Sequence, residues 1–266
     1  MITYRATLDV PERTLVCVSR WLAAHRKVHD RRPWQRAATP YVQAVLLLRW
    51  FKDATDLRLL ARDARVSIAT AYRYLHEAID VIAEHVPDLV GVLAHGLSED
   101  WEFVALDGTL IPSVRCSTKS ESGHDVWYSG KHHRHGGNVQ VLTGPDGYPE
   151  WVSPAEPGST HDITAAREHV LPALYPAAAA GLKTLADKGY LGAGIGVLVP
   201  IKGNNLAPDN RTRNTMITAL RAPAERANAL LKRTWKALER ITLDPNRISE
   251  IIAAALVLLH LQRPTR

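Results

Sequence analysis

Cysteine is scarce in this sequence: two occur in 266 residues, Cys17 and Cys116. They support neither a disulfide framework nor a thiolate metal site, so a reducing cytosol is the expected compartment. The opening stretch, MITYRATLDVPERTL, lacks a charged segment followed by an apolar one, and no secretory leader is expected. Long hydrophobic runs are also missing. The longest uninterrupted one, IIAAALVLL at 251–259, is too short to cross a bilayer and reads as a buried helix. No internal repeat and no long Gly/Ser linker is visible. What remains is a chain with 46% hydrophobic residues, enough to bury a real core and unlike a disordered or low-complexity sequence. Its length suits one large domain, or a catalytic domain with a smaller one attached.

The net charge of +6 is unevenly spread. Residues 1–87 carry 14 Lys/Arg against 9 Asp/Glu, residues 88–201 carry 7 against 13, and residues 202–266 carry 12 against 5. An acidic middle between basic flanks suits a cation-binding site bracketed by surfaces that attract phosphate, although charge blocks are also ordinary on solvated faces.

Residues 8–86 read as helical throughout, with apolar periodicity in ERTLVCVSRWLAAHR, YVQAVLLLRWFKDA and DLRLLARDARVSIATAYRYLHEAIDVIAEHV. Pro87 and GLSEDWE (96–102) break the pattern and place a domain boundary near 95. Strand texture follows. WEFVAL (101–106) reads as a buried strand ending at Asp107, and NVQVLT (138–143), GPDG and YPEWVS read as a hairpin. HDITAAREHVLPAL reads as one short helix, KTLAD and GVLVP as strands, and the chain from about 212 as helix interrupted by Pro223. The pattern predicts an α/β catalytic domain over 96–266 behind an all-helical domain over 1–95.

Within the helical part, residues 56–79 have the shape of a helix-turn-helix. The first helix ends near Asp63, ARVS forms the turn, and Ser67 caps the second helix. Leu60, Ala61, Val66, Ala71 and Leu75 supply the shared core. Ser67, Ile68, Thr70, Arg73 and Tyr74 fall on or near the exposed side, where a recognition helix meets DNA. Arg65 stands where such turns commonly place glycine. A plain helical hairpin gives a similar pattern.

Several acids are placed for chemistry. Asp107 in FVALDGTL and Asp187 in LADKGYLGAG each follow an apolar segment and have glycine near them, which holds the acid on a rigid element yet leaves it open. A phosphatase of the Asp-x-Asp-Gly-Thr type is excluded, because position 105 is Ala and position 109 is Thr. Glu225 shares a helical stripe with Arg221, Asn228 and Lys232 at i, i+4, i+7 and i+11, while Ala227, Leu231, Trp235 and Leu238 form a separate apolar stripe. Asp162 in GSTHDIT either caps the helix that follows or supports a metal. The run GKHHRHGG (130–137) has no cysteine or acid spaced to complete a zinc site, and Lys131 and Arg134 suit a DNA backbone. Trp127 and Tyr128 before it suit either stacking on an unpaired base or the core.

Together LDGT, WYSGKHHRHGGNVQVL, EPGSTHDITAAREHVL, LADKGY and ERANALLK resemble the motifs of IS5-type insertion-sequence transposases, relatives of the Harbinger-like DDE endonucleases. The resemblance covers nearly the whole chain, the 56–79 helix pair included. It implies an RNase H-like catalytic domain in which Asp107, Asp187 and Glu225 are the catalytic acids and metal ligands, with Asp162 as a further metal ligand. Carboxylates so close need cations between them, and hard oxygen donors select Mg²⁺, or Mn²⁺ in its place, in a two-ion arrangement. It further implies double-stranded DNA as partner, both element inverted repeats and target, contacted by Arg65, Ser67, Thr70, Arg73, Lys131, Arg134, Arg221, Asn228 and Lys232. A homodimer or larger assembly on DNA, bacterial and nucleoid-associated, and no membrane, complete the expectation. The Tyr-(2)-Arg-(3)-Glu-(6)-Lys signature of such enzymes is met by Arg221, Glu225 and Lys232, whereas Thr218 stands at the Tyr position. A regulatory or catalytically decayed DNA-binding derivative is the alternative.

Overall fold

Local sequence signals set most helix starts in the computed structural model, which describes residues 7–263 apart from 31, 117 and 122. Four helices come first: α1 (Glu12–Val28), α2 (Pro40–Asp53), α3 (Leu57–Asp63) and α4 (Ile68–Ala83). Thr39, Asp56 and Ser67 each accept a hydrogen bond from a first-turn backbone N–H of α2, α3 and α4, which satisfies donors that a helix start leaves open. The helical expectation over 8–86 fails at 29–39. Asp30 there adopts φ +47°, and α2 restarts only at Pro40, where a missing N–H costs nothing.

α5 (Leu89–Ser98), capped by Asp88, runs through residue 95. Its Leu89, Val92 and Leu93 share a core with Val104, Leu106 and Leu142 of the sheet, so this helix belongs physically with the β region.

The sheet is mixed. β1 (Phe103–Pro112) lies between β3 (Arg134–Thr143), antiparallel, and β6 (Lys183–Leu185), parallel. β7 (Val197–Leu198) pairs parallel with β6, while β2 (Tyr128–Ser129), β4 (Pro149–Val152) and β5 (Glu156–Pro157) all pair with β3. Strand β1 does not end at Asp107 as the sequence pattern suggested. Its partner β3 carries it on through Pro112↔Gly136, and only the pairing with β6 stops, at Ala105↔Leu185.

Side-chain alternation gives the sheet two buried faces. Ala105, Asp107, Thr109 and Ile111 look toward α8 (Pro208–Thr234), α9 (Ile248–Gln262) and the N-terminal helices. Val104, Leu106, Gly108 and Leu110 look toward α5, α6 (Asp162–His169) and α7 (Leu171–Ala179). The single helix expected over 161–174 is two, because Val170 leaves helical geometry at φ −125° and Pro172 opens α7. Conversely, α8 begins before residue 212 and passes Pro223 without ending. The run 251–259 is buried in α9, as expected. One cluster joins Val18, Leu47 and Ile79 of the N-terminal helices to Leu231, Trp235 and the inner face of α9. Within it Trp235, fully buried, meets Phe51 edge-on at 5.9 Å. The helical and sheet regions therefore share one core.

Candidate active site

Two carboxylates meet where β6 parts from β1. Continuing the parallel register from Ala105↔Leu185 by two residues brings Asp187 level with Asp107 on the neighbouring chain segment. Beyond that point the edge of β1 has lost its β-partner, and α8 supplies the missing bonds. Lys232 Nζ donates to Leu110 O at 2.9 Å and to Thr109 Oγ1 at 2.7 Å. Asn228 Nδ2 donates to Asp107 Oδ2 at 2.7 Å, and Arg221 lies 3.6 Å from Asp107 Oδ1. Asp187 is held by a bond from Gly189 N at 2.8 Å, in the first turn of the Lys188–Tyr190 segment.

The third acid arrives from the opposite face of the sheet. Asp162, the first residue of α6, makes no capping bond to that helix. Its Oδ1 accepts from Asn138 Nδ2 and its Oδ2 from Lys131 Nζ, each at 2.8 Å. It fits because β1 carries glycine beneath it: a Cβ on Gly108 would stand 2.5 Å from Asp162 Oδ1. The Asn138 amide is oriented in turn by fully buried Gln140, whose Nε2 donates to Asn138 Oδ1 at 3.2 Å. Gln140 Oε1 accepts from the Tyr190 hydroxyl at 2.6 Å. The chain of bonds runs from Asp162 through β3 to the segment that carries Asp187.

Burial pushes the carboxyl of Asp107 up from 3.8 to about 6; Arg221 opposes this, and nearby Asp187 and Asp162 add to it. Burial likewise drives the Tyr190 phenol well above its ordinary range, with the three aspartates reinforcing it. The Lys131 ammonium is raised chiefly by its bond to Asp162, whereas burial lowers Lys232. A buried acid beside two further aspartates, with Arg221, Lys131 and Lys232 close by, is an arrangement built around charge.

Other expected site residues lie elsewhere or are differently engaged. Glu225 sits on α8 at the axial level between Arg221 and Asn228, but on the exposed side of that stripe. The structure does not bring it into the cluster, and among the described residues no three His, Cys, Asp or Glu side chains converge closely enough to hold a metal. Arg221, Asn228 and Lys232 are turned onto β1 rather than outward. Arg134 is exposed at the start of β3, and Trp127 is core while Tyr128 is exposed.

In the α3–α4 pair, Leu60, Ala61, Ala71 and Leu75 are buried together as expected. Arg65 occupies the turn at φ +54°, and Arg73 bonds Thr70 Oγ1 at 3.2 Å, itself linked to Ser67. Tyr74 is not on the exposed side. It falls on the Ala71–Leu75–Ala78 stripe, is buried, and its hydroxyl accepts from Ala37 N.

Asn138, Gln140 and Tyr190 were not singled out from sequence. The signal was there in part: in NVQVL the polar residues alternate with valines, which puts two amides on one face of a buried strand.

A mixed sheet covered by helices on both faces, with one aspartate on its central strand and a second just past the end of the parallel neighbour, fits the RNase H-like architecture of DDE nucleases. A family model described as DDE superfamily endonuclease matches residues 106–260, more than half the chain, and the chain belongs to that family. No curated protein and no solved structure matched it. Nucleases of this transposase type act on DNA and generally use divalent metal ions. Among the described residues no helix is long and apolar enough to cross a membrane.

Proposed function

We propose that this chain is an IS5-type transposase that cuts DNA at the ends of its own element and joins them to a target, with Asp107, Asp187 and Glu225 as the catalytic acids. The observation that carries the proposal is the nearness of Asp187, just past the end of β6, to the buried Asp107 carboxyl, whose charge it opposes, beside Arg221 and the Lys131–Asp162 pair.

The donor chemistry fits Mg²⁺. Asp107 and Asp187 offer hard carboxylate oxygens, and beside them Asn228 Oδ1 is buried without a hydrogen-bond partner. Asp107 and Asp187 would hold the metal, with Asp162 supporting from the opposite face and Glu225 reaching in from α8. A pair of bound Mg²⁺ ions would supply activation of water or of a DNA 3′-hydroxyl, and charge stabilisation on the leaving oxygen. The residues themselves do the positioning. Arg221 and Asn228 clamp the Asp107 carboxylate, Gly189 N fixes Asp187, and the Tyr190–Gln140–Asn138 relay fixes Asp162. In this proposal the helices before α5, within the 1–95 region, form the DNA-recognition part, α4 offers Ser67, Thr70 and Arg73 to the duplex, and Arg134 reaches the backbone beside the site. Two element ends held together require at least a dimer on DNA.

One observation favours the second reading, a regulatory or decayed derivative: Glu225 lies on the exposed side of α8. The experiment that separates them is cleavage and strand transfer with Mg²⁺ or Mn²⁺ on DNA carrying the element's own ends. Wild type is expected to nick the 3′ ends and form joined products, and Asp187→Asn to do neither. Equal end binding by both proteins with no cutting by either would transfer the assignment to the regulator.

A further inference from the structure

The segment between α1 and α2 breaks the helical pattern, and its residues 36–38 are fastened in place. Arg26 donates to Ala38 O at 2.9 Å and to Gln43 Oε1 at 2.6 Å. Gln43, fully buried, passes the connection to Tyr74 O and Glu77 of α4. Arg36 pairs with Glu77 and lies 4.5 Å over the Tyr74 ring, and Ala37 N donates to the Tyr74 hydroxyl. These bonds fasten residues 36–38 directly onto α4, and they consume Arg26 and Arg36 in doing so.

Lys27, Arg32 and Arg65 are exposed and line one concavity of about 650 Å³, with Asp30 as its acid. Asp30 meets Arg32 at 3.4 Å, an exposed pair that water and salt screen. A second hollow joins Arg36 to Thr70 and Arg73 of α4. The basic surface thus runs from the 29–39 segment, across the α3–α4 turn, to the start of α4. Arg65 holds its place there in the left-handed region, which favours glycine over any residue with a Cβ. Three cations from three separate segments around one concavity match a polyanion whose charges are regularly spaced, such as a duplex backbone.

We propose that the rim of this concavity is a second DNA-contacting surface, in which Lys27 near the end of α1, Arg32 of the connecting segment and Arg65 of the α3–α4 turn bind backbone phosphates next to the groove entered by α4. It rests on the DNA-binding role proposed above for α4 and the turn before it, and extends it to Lys27 and Arg32, which the helix pair does not contain. Phosphate contacts of this kind position the protein without reading sequence, so their loss weakens every duplex alike.

The test is equilibrium binding of the full chain to an element-end duplex and to a scrambled duplex, over a range of salt concentrations. Three proteins are compared: wild type, Lys27→Gln/Arg32→Gln, and Thr70→Ala/Arg73→Gln. All four substituted side chains are at the surface, and a far-UV circular dichroism melt checks the fold of each variant. Each phosphate contact contributes about 0.9 to the slope of log K against log salt. The Lys27/Arg32 variant is expected to flatten the slope by about two on both duplexes while keeping the preference for the element end. The Thr70/Arg73 variant is expected to lose that preference. An unchanged slope in the first variant, with the preference lost in the second, overturns the second surface alone. Absence of duplex binding by wild type overturns the DNA-binding role and this surface with it.

Discussion

Asp107→Asn in metal-free buffer is expected to stabilise the chain above pH 6 and to leave it unchanged near pH 3.8. In the folded protein the carboxyl titrates at about 6, against 3.8 for an ordinary aspartate. Burial is the main cause, and Asp187 and Asp162 offset part of the help from Arg221. A folded-state value above the unfolded one means that the native state holds its proton longer. The stability contributed by protonated Asp107 is therefore complete below the unfolded value, and is lost as pH rises through the folded value. At 1.36 kcal/mol per unit, ionisation costs up to about 3 kcal/mol. Asparagine mimics the neutral acid and can still accept from Asn228 Nδ2, so the variant escapes this loss. Urea unfolding of both proteins in EDTA, from pH 4 to pH 8, measures it. The gap is expected to open from near zero to as much as about 3 kcal/mol and then stay flat. Mg²⁺ added at pH 7.5 is expected to narrow it by stabilising only the wild type. A gap independent of pH, or one favouring the wild type as pH rises, would refute the reasoning, since the Arg221 pair would then dominate burial.

Three further outcomes test the surrounding architecture. Tyr190→Phe strands the buried Gln140 Oε1 without its donor and is expected to cost about 1–3 kcal/mol in a denaturation experiment; an unchanged midpoint would mean that the relay carries no weight. Gly108→Ala drives a methyl into the Asp162 carboxylate and toward Gln140 Nε2, 3.1 Å away. Its Mg²⁺-dependent cleavage is expected to fall at least ten-fold, while stability drops by only about 1–3 kcal/mol; full activity would remove Asp162 from the site. Arg65→Gly relieves the left-handed turn and is expected to raise stability by roughly 0.5–1 kcal/mol, while flattening the salt dependence of DNA binding by about one. Calorimetry and a salt series of duplex binding check both halves, and a destabilised variant would contradict the strain assigned to that turn.

Some features are decided within a few residues, and these are legible in the amino-acid order itself. Ser67 caps α4 because its hydroxyl reaches a backbone donor three residues on, and Leu60, Ala61, Ala71 and Leu75 repeat at helical spacing. The β3–β4 hairpin follows from GPDG between two apolar runs, and the two aspartates stand out by following buried segments beside glycine. Those relations need no distant partner.

Other features depend on one. Helical spacing states that Arg221, Glu225, Asn228 and Lys232 share a stripe, but not which edge of it meets β1. Packing of Ala224 and Leu231 against the sheet cluster turns Asn228 and Lys232 inward and leaves Glu225 outside. Tyr74 falls on the inward stripe of α4, where Ala37 N donates to its hydroxyl and Arg26 and Arg36 lie over its ring. Strand β1 outruns its apolar pattern because β3 offers a hydrogen-bonded edge as far as Gly136. What the chain alone determined was the set of caps, turns, periodic faces and acids, all written in short-range backbone chemistry. What tertiary structure decided was the rotation of each helix and the placing of Asp187 and Asp162 within electrostatic reach of buried Asp107, because burial and pairing energy depend on surfaces far apart in sequence.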